Sequence, residues 1–269
     1  MLVMNKINWN FNNTYLKLPK DMLSEQKPES VKNPELIILN YNLSEDLDIN
    51  LKGLDGKYLA SVFSGNLLPD GSEAISMAYA GHQFGNFTIL GDGRAITIGE
   101  HFNQRKQGYE IQFKGTGKTK FSRNGDGKAA LGPMLREYII SEAMHYLNIP
   151  TTRSLAVIKT GEKVKRETEL DGAILTRVAT SHIRVGTFQY FAFKKDETSL
   201  KNLINYTINK HFPSLKNDKN IYLNLIDELV DKQIDLIVNW MRVGFIHGVM
   251  NTDNMALSGE TIDYGPCAF

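Results

Sequence analysis

Cysteine is nearly missing from this chain: Cys267 is the only one in 269 residues. No intramolecular disulfide can form, which agrees with a reducing compartment. No stretch approaches the ~18 consecutive apolar residues that a membrane-spanning helix needs. The start, Met1 to Trp9, has no sustained apolar run of the secretory-leader kind. The reading is therefore a cytoplasmic protein with no membrane contact. A surplus of one charge sign is also missing, because Lys plus Arg number 31 and Asp plus Glu number 30. That balance removes the global electrostatic reason to bind nucleic acid, while leaving room for a local basic pocket. There is no internal repeat and no low-complexity tract. What is present is an ordinary globular composition, 42% apolar and 23% charged, with a length that suits one or two domains and a real core.

Residues 1–70 are mixed in pattern, with Pro19, Pro28 and Pro34 breaking any long helix. They read as an N-terminal arm, in which Leu36 to Leu39 is a strand or a buried turn of helix. Thr88 to Leu90 and Ala95 to Ile98 flank Gly91-Asp92-Gly93-Arg94, and an Asp-Gly turn between apolar runs predicts a hairpin. Tyr109 to Lys114 alternates with period two and places Lys114 on the polar face. A helix is predicted over 131–147, tolerating Pro133 in its first turn and closed by Pro150. Leu155 to Ile158 and Ala173 to Thr176 read as two further strands. A second long helix is predicted over 222–242, with an apolar face of Leu225, Ile226, Leu229, Ile234, Ile237, Val238 and Met241, ended by Gly244. Met255 to Asp263 reads as a second hairpin.

The chemistry is concentrated near the end. His247 to Asn254 is followed nine residues later by Asp263-Tyr264-Gly265. A kinase-type site needs an Asn in a loop after a helix, and an Asp before Gly at the end of the next short strand, to hold metal against phosphates. Asn254 and Asp263 meet that description and offer hard oxygen ligands suited to Mg²⁺ or Mn²⁺. One position departs from it. The base Asp of a kinase loop stands five residues before the Asn, and here that position is Val249, which cannot accept a proton. Either the site is dead for transfer, or the neighbouring Asp253 serves as base in a rearranged site. Upstream, Lys114 on a strand and Glu137 on the following helix occur in the order of a phosphate-binding lysine and its ion-pair partner. Gly91 and Gly93 could let backbone approach a nucleotide. Arg94, Arg177 and Arg184 stand near strand ends or glycine turns, where guanidinium forks match phosphate oxygens. Asp126-Gly127 is either a turn pair or part of the site.

Longer motifs then carry a resemblance. Tyr79-Ala80-Gly81-His82-Gln83-Phe84-Gly85, Leu90 to Arg94, Gln112 to Gly115, Ser122-Arg123 with Gly125-Asp126-Gly127, and Leu135 to Tyr138 resemble motifs of the SelO family of protein adenylyltransferases (selenoprotein O-like, YdiU). So do Ile149 to Arg153, Thr176 to Ala179, Ser181 to Arg184, Gly244 to Asn254 and Asp263 to Pro266, so the resemblance covers nearly the whole chain. It implies an α+β, protein kinase-like, bilobal fold in which ATP sits inverted relative to ordinary kinases. It also implies AMP transfer from ATP to Ser, Thr or Tyr hydroxyls of proteins. Carried over residue by residue, Lys114 resembles the phosphate-binding lysine and Glu137 its partner. Gly91, Gly93, Arg94, Asp126, Gly127, Arg177 and Arg184 resemble nucleotide contacts, with Asp263 among them. Asp253 resembles the general base, and Asn254 and Asp263 the metal ligands.

On this reading residues 71–200 form the nucleotide-binding lobe and 201–269 the start of a C-terminal lobe, truncated because the family continues into further helices. The alternatives are ordinary phosphoryl transfer, UMP transfer with Mn²⁺, and an inactive nucleotide-binding pseudokinase fragment. Val249 speaks against the first.

Overall fold

The computed structural model describes residues 6–269. The reading of a leader-free start rests partly on residues 1–5, which lie outside them. In chain order the elements are β1 (Leu23–Glu25), β2 (Glu35–Leu39), α1 (Tyr41–Asp46), α2 (Gly56–Phe63), β3 (Ile75–Met77), β4 (Ala80–Gln83), β5 (Asn86–Ile89), β6 (Ala95–Phe102) and β7 (Gly108–Lys114). There follow β8 (Ala129–Ala130), α3 (Leu131–Tyr146), β9 (Arg153–Lys165), β10 (Glu169–Ala179), α4 (Val185–Phe193), α5 (Glu197–His211) and α6 (Ile221–Arg242). The fold is α+β, built on one antiparallel sheet in the order β1-β3-β6-β7-β10-β9-β2, with β8 added on β10. The segment read as an arm supplies both edge strands, β1 and β2. Among the described residues no helix is long and apolar enough to cross a membrane.

Period-two alternation decides what each sheet face does. From β7, Ile111 and Phe113 point into a core completed by Leu59, Val62 and Phe63 of α2 and by Ile174 and Val178 of β10. The capped start of α2, where the Asp55 carboxylate accepts from the Tyr58 amide at 2.9 Å, sets that helix against the sheet. Fully burying one such side chain contributes roughly 1.5–3 kcal/mol, so this face anchors the fold. On the opposite face Ala173 and Leu175 of β10 meet Met134 of α3. The same alternation leaves Gln112, Lys114 and Arg177 on the α3 side, buried rather than solvated.

Two expected hairpins do not form. β5 turns back to pair with β4, and β6 pairs with β7 and β3, so residues 90–94 cross between two sheets. The reason is Asp92. Its carboxylate is buried, accepts from the Met77 amide at 3.0 Å and lies 3.7 Å from the Arg184 guanidinium. A solvent-exposed turn would forgo that pairing. The arms of the 255–263 segment flare apart instead of pairing, because Ala256 bridges to Arg184 and Thr261 to Thr151.

Both long helices stand where the periodicity places them, but α6 has two apolar stripes. Leu225, Leu236 and Trp240 point inward, while Ile226, Val230, Ile234, Val238 and Met241 are exposed. Trp240 and Leu236 pack on Met144, Ile149, Phe245 and Tyr264. The Trp240 indole donates to Thr261 Oγ1 at 2.9 Å and so ties α6 to the segment that carries Asp263. The sequence reading placed no helix over α4 and α5. There Tyr190, Phe191 and Leu203 make a second core with Met77 and Ala80.

Candidate active site

Lys114 ends β7, Glu137 sits one and a half turns into α3, and Asp263 follows a short extended segment. These elements converge. Lys114 Nζ donates to Glu137 Oε2 and to Asp263 Oδ1, both at 2.6 Å. Arg177, from β10, donates through Nε to Glu137 Oε1 at 3.0 Å and through Nη1 to Gln112 Oε1 at 3.2 Å, and its Nη2 reaches Asp263 Oδ1 at 2.5 Å. Arg184, leaving β10 toward α4, donates through Nη1 to Asp263 Oδ2 at 3.0 Å and to the Asp253 main-chain oxygen at 2.7 Å. Its guanidinium lies over the Tyr79 ring, 4.3 Å from the centroid. Asp263 adopts a left-handed backbone, φ 64°, uncommon for a residue with a Cβ. Three cations, Lys114, Arg177 and Arg184, hold its carboxylate in that position.

The electrostatics follow from burial and pairing. Burial works to raise Asp263, but Arg177, Lys114 and Arg184 outweigh it and hold its carboxyl well below the usual range. Glu137 is lowered in the same way, with Arg177 and then Lys114 overcoming burial. Burial and the neighbouring Arg177 lower Lys114, against the pull of its two carboxylates. Two carboxyls behave oppositely: burial raises Asp92, and burial raises Asp253. Asp253 sits in a single helical turn, Thr252–Asn254, and its buried Oδ1 has no hydrogen-bond partner. Asn254 closes that loop by donating from Nδ2 to the Val249 carbonyl at 2.9 Å.

A cavity of about 300 Å³ is lined by Gly93, Arg94, Lys114, Glu137, Arg177, Arg184, Asp253, Asn254 and Asp263. A second, of about 340 Å³, shares Gly93, Arg94 and Asp253 with it and adds Gly91, Asp126 and Gly127. Every residue singled out for the site thus lines one or both of these two adjoining cavities, together the cleft. Their local roles differ. A Cβ on Gly91 would meet the Phe121 ring at 2.4 Å, and one on Gly93 the Phe121 carbonyl oxygen at 2.8 Å. These glycines make room for the loop that carries Asp126. Asp126 accepts from Arg166 at 2.8 and 3.1 Å and from the Lys128 amide at 2.9 Å, a turn and an ion pair at the cleft edge.

Tyr79, Gln83 and Asp92, not singled out as site residues, also line the cleft. In the sequence Asp92 reads as a turn residue, and Tyr79 and Gln83 are marked only by the motif that contains them. Gln112 shares the polar face of β7 with Lys114 and stands behind the cleft, accepting from Arg177.

Among the described residues no cluster of three or more His, Cys, Asp or Glu forms an all-protein metal cage. Mg²⁺ is usually held by one or two carboxylates together with substrate phosphates. Asp263, Asn254 and Asp253 line the same cavity and carry hard oxygen donors of the kind such an ion takes, Asp263 being paired with Lys114, Arg177 and Arg184 in this structure.

Comparison with known proteins gives the family. A family model described as "Protein adenylyltransferase SelO" matches residues 5–269. "Protein nucleotidyltransferase YdiU" from Pelagibacter ubique (strain HTCC1062) is 60% identical over 98% of this chain, which covers 54% of that protein. The proteins of the same description from Nitrosococcus oceani and Shouchella clausii are 58% and 55% identical over 98% and 97% of the chain, which covers 53% and 54% of them. The chain thus spans about half the length of the curated relatives it matches. With the family model covering all but its first residues, the chain belongs to the SelO family of protein adenylyltransferases.

Proposed function

We propose that the cleft binds ATP with a divalent cation and transfers AMP to a Ser, Thr or Tyr hydroxyl of a protein, in a protein kinase-like site. The observation that carries this reading is the buried cluster of Lys114, Arg177 and Arg184 around Asp263, beside an Asp253 carboxylate with a free oxygen. Preorganised cations in a water-poor cleft stabilise phosphate charge far more than the same groups in water. Lys114, Arg177, Arg184 and Arg94 bind and orient the triphosphate. ATP lies reversed relative to a kinase, as the family resemblance implies, so the α-phosphorus is the electrophile.

Asp253 takes the proton of the acceptor hydroxyl. The hydroxyl oxygen forms a bond to the α-phosphorus, the bond from that phosphorus to the oxygen bridging to the β-phosphorus breaks, and pyrophosphate leaves with the electron pair. Raised by burial, Asp253 is a better base than an exposed carboxylate. Asn254 and Asp263 would hold Mg²⁺ or Mn²⁺, which withdraws charge from phosphate oxygens. The charge balance argues for such an ion. Four cations, Arg94, Lys114, Arg177 and Arg184, and four carboxylates, Asp92, Glu137, Asp253 and Asp263, line the same cavity. A triphosphate therefore enters a site with little net positive charge of its own.

In this reading residues 71–200 form the nucleotide lobe and 201–269 begin a second lobe, in a cytoplasmic setting that suits the single thiol. The exposed stripe of α6 favours a second reading for this chain by itself: nucleotide binding without turnover. Intact-mass measurement after incubation with ATP and Mg²⁺ or Mn²⁺, alone and with an unfolded acceptor protein, separates them. A gain of one adenylyl group, lost in Lys114→Ala, is the expected result. Gain of a phosphoryl group, or no gain with calorimetric ATP binding intact, overturns AMP transfer by this chain.

A further inference from the structure

Gln112 stands near the middle of β7, opposite Thr97 of β6 on one side and Arg177 of β10 on the other. Opposed residues share a sheet face, so its side chain lies between theirs, on the side of α3. It is fully buried and lines neither cavity of the cleft. A side-chain amide at that depth costs stability unless its two ends are paired.

Both ends are paired, and to opposite charges. Oε1 accepts from Arg177 Nη1 at 3.2 Å. Nε2 faces Asp92 Oδ2 at 3.4 Å and Thr97 Oγ1 at 3.3 Å. The orientation is forced, because a guanidinium only donates and an ionised carboxylate only accepts. Asp92 carries the connection onward, with its Oδ1 3.7 Å from Arg184 Nη2. Arg177 and Arg184 close the circuit on the two oxygens of Asp263, at 2.5 and 3.0 Å.

The two arginines are thus tied twice. The front tie is Asp263, which lines the cleft. The rear tie runs through Gln112 and Asp92, and Gln112 is out of a ligand's reach. A triphosphate entering the cleft competes with Asp263 for the guanidinium groups and loosens the front tie. The rear tie is untouched by that competition. Its middle link must offer an acceptor to a cation and a donor to an anion while adding no charge. Among side chains of this length glutamine alone does so: ionised glutamate lacks the donor, lysine the acceptor and methionine both.

We infer that Gln112 is the positioning residue that keeps Arg177 and Arg184 at their spacing when phosphate displaces Asp263 from them. The inference rests on the nucleotide-binding reading of the cleft. Cations held in place before the ligand arrives spend no binding energy on reorganisation, so the effect belongs to the phosphates and not to the base.

The test compares ATP with Mg²⁺, titrated by calorimetry, with adenosine, which has no phosphate, titrated by ligand-observed NMR. Gln112→Met keeps the length of the side chain and removes both bonds. ATP affinity is expected to fall about tenfold and adenosine affinity to change less than about twofold. Gln112→Glu keeps the acceptor for Arg177 but sets a carboxylate against Asp92, and the same selective loss is expected. Either variant decides the matter if the other does not fold. Wild-type ATP affinity in a folded variant overturns the inference and leaves nucleotide binding standing. Equal losses for ATP and adenosine also overturn it, because they mark a general loosening of the sheet. A wild-type chain that binds no ATP sinks the nucleotide-binding reading itself, and the inference with it.

Discussion

Asp263 Oδ1 accepts from Lys114 Nζ at 2.6 Å across 149 positions of sequence. Lys114 in turn spans two carboxylates, Glu137 from the helix and Asp263 from the far end of the chain. This arrangement makes the lysine a structural clamp, and in the proposed reaction it is also the charge that meets phosphate.

Removal of that charge separates the two roles. Lys114→Met leaves Glu137 and Asp263 still paired with Arg177. The loss of stability should therefore fall below the ~3–5 kcal/mol typical of a buried charge left wholly unpaired. Urea unfolding measures that. Calorimetric titration with ATP and Mg²⁺ should show weaker binding by tenfold or more, on the order of 1.4 kcal/mol. Unchanged ATP affinity in the variant would falsify the phosphate role.

Asp263 and Asp253 should fail in different ways. Asp263→Ala is expected to lose metal-dependent ATP binding, whereas Asp253→Ala binds ATP normally and transfers roughly 100-fold slower or worse, as for loss of a general base. The base must be ionised to act, and burial raises its carboxyl above the usual 3.8. The transfer rate should accordingly fall as pH drops, with a midpoint displaced upward from 3.8 by that burial. A wild-type rate in Asp253→Ala sinks the base assignment.

His211 supplies a stability prediction. Burial first, and then the neighbouring Lys210 cation, push its imidazole from 6.5 down to about 4. Protonation thus favours the unfolded chain. The stabilisation is complete above the unfolded pKa of about 6.5 and is lost as pH falls toward about 4, by an amount on the order of 3 kcal/mol. His101 and His182, also lowered by burial, add to the same slope. Urea midpoints between pH 7 and pH 4.5 should show a shallower acid loss in His211→Phe than in the wild type. Parallel curves for the two proteins would refute the assignment.

The outer stripe of α6 predicts association. Leu223, Ile226, Val230, Ile234, Ile237 and Met241 recur at spacings of three and four along one side and are all exposed, Met241 at 75%. A patch of this kind on a soluble chain marks a surface that binds or aggregates. Sedimentation of the isolated chain should show concentration-dependent association, reduced in an Ile226→Lys/Ile237→Lys double variant with an unchanged unfolding midpoint. A wild-type chain that stays monomeric at high concentration would contradict this.

Local pattern in the sequence determined much of this protein. The alternation over 109–114 and the three-and-four spacing over 131–147 specify a strand and a helix whatever surrounds them, because side-chain direction follows backbone period. The order of Lys114, Glu137, Asn254 and Asp263 was legible for the same reason: each sits at a position within its own element, and the long motifs around them are specific. Tertiary structure decided what local pattern does not encode. Gly91-Asp92-Gly93 has the chemistry of a hairpin turn, yet Asp92 is drawn inside by the Met77 amide and the Arg184 guanidinium, partners 15 and 92 positions away. The apolar periodicity of α6 cannot distinguish Leu236, which meets Met144 and Tyr264, from Ile237 beside it, which meets solvent. The cleft itself exists only because β7, β10 and the segment after α6 bring three cations onto one carboxylate. That is long-range pairing, favoured by a desolvated interior in which unlike charges must meet or remain uncompensated.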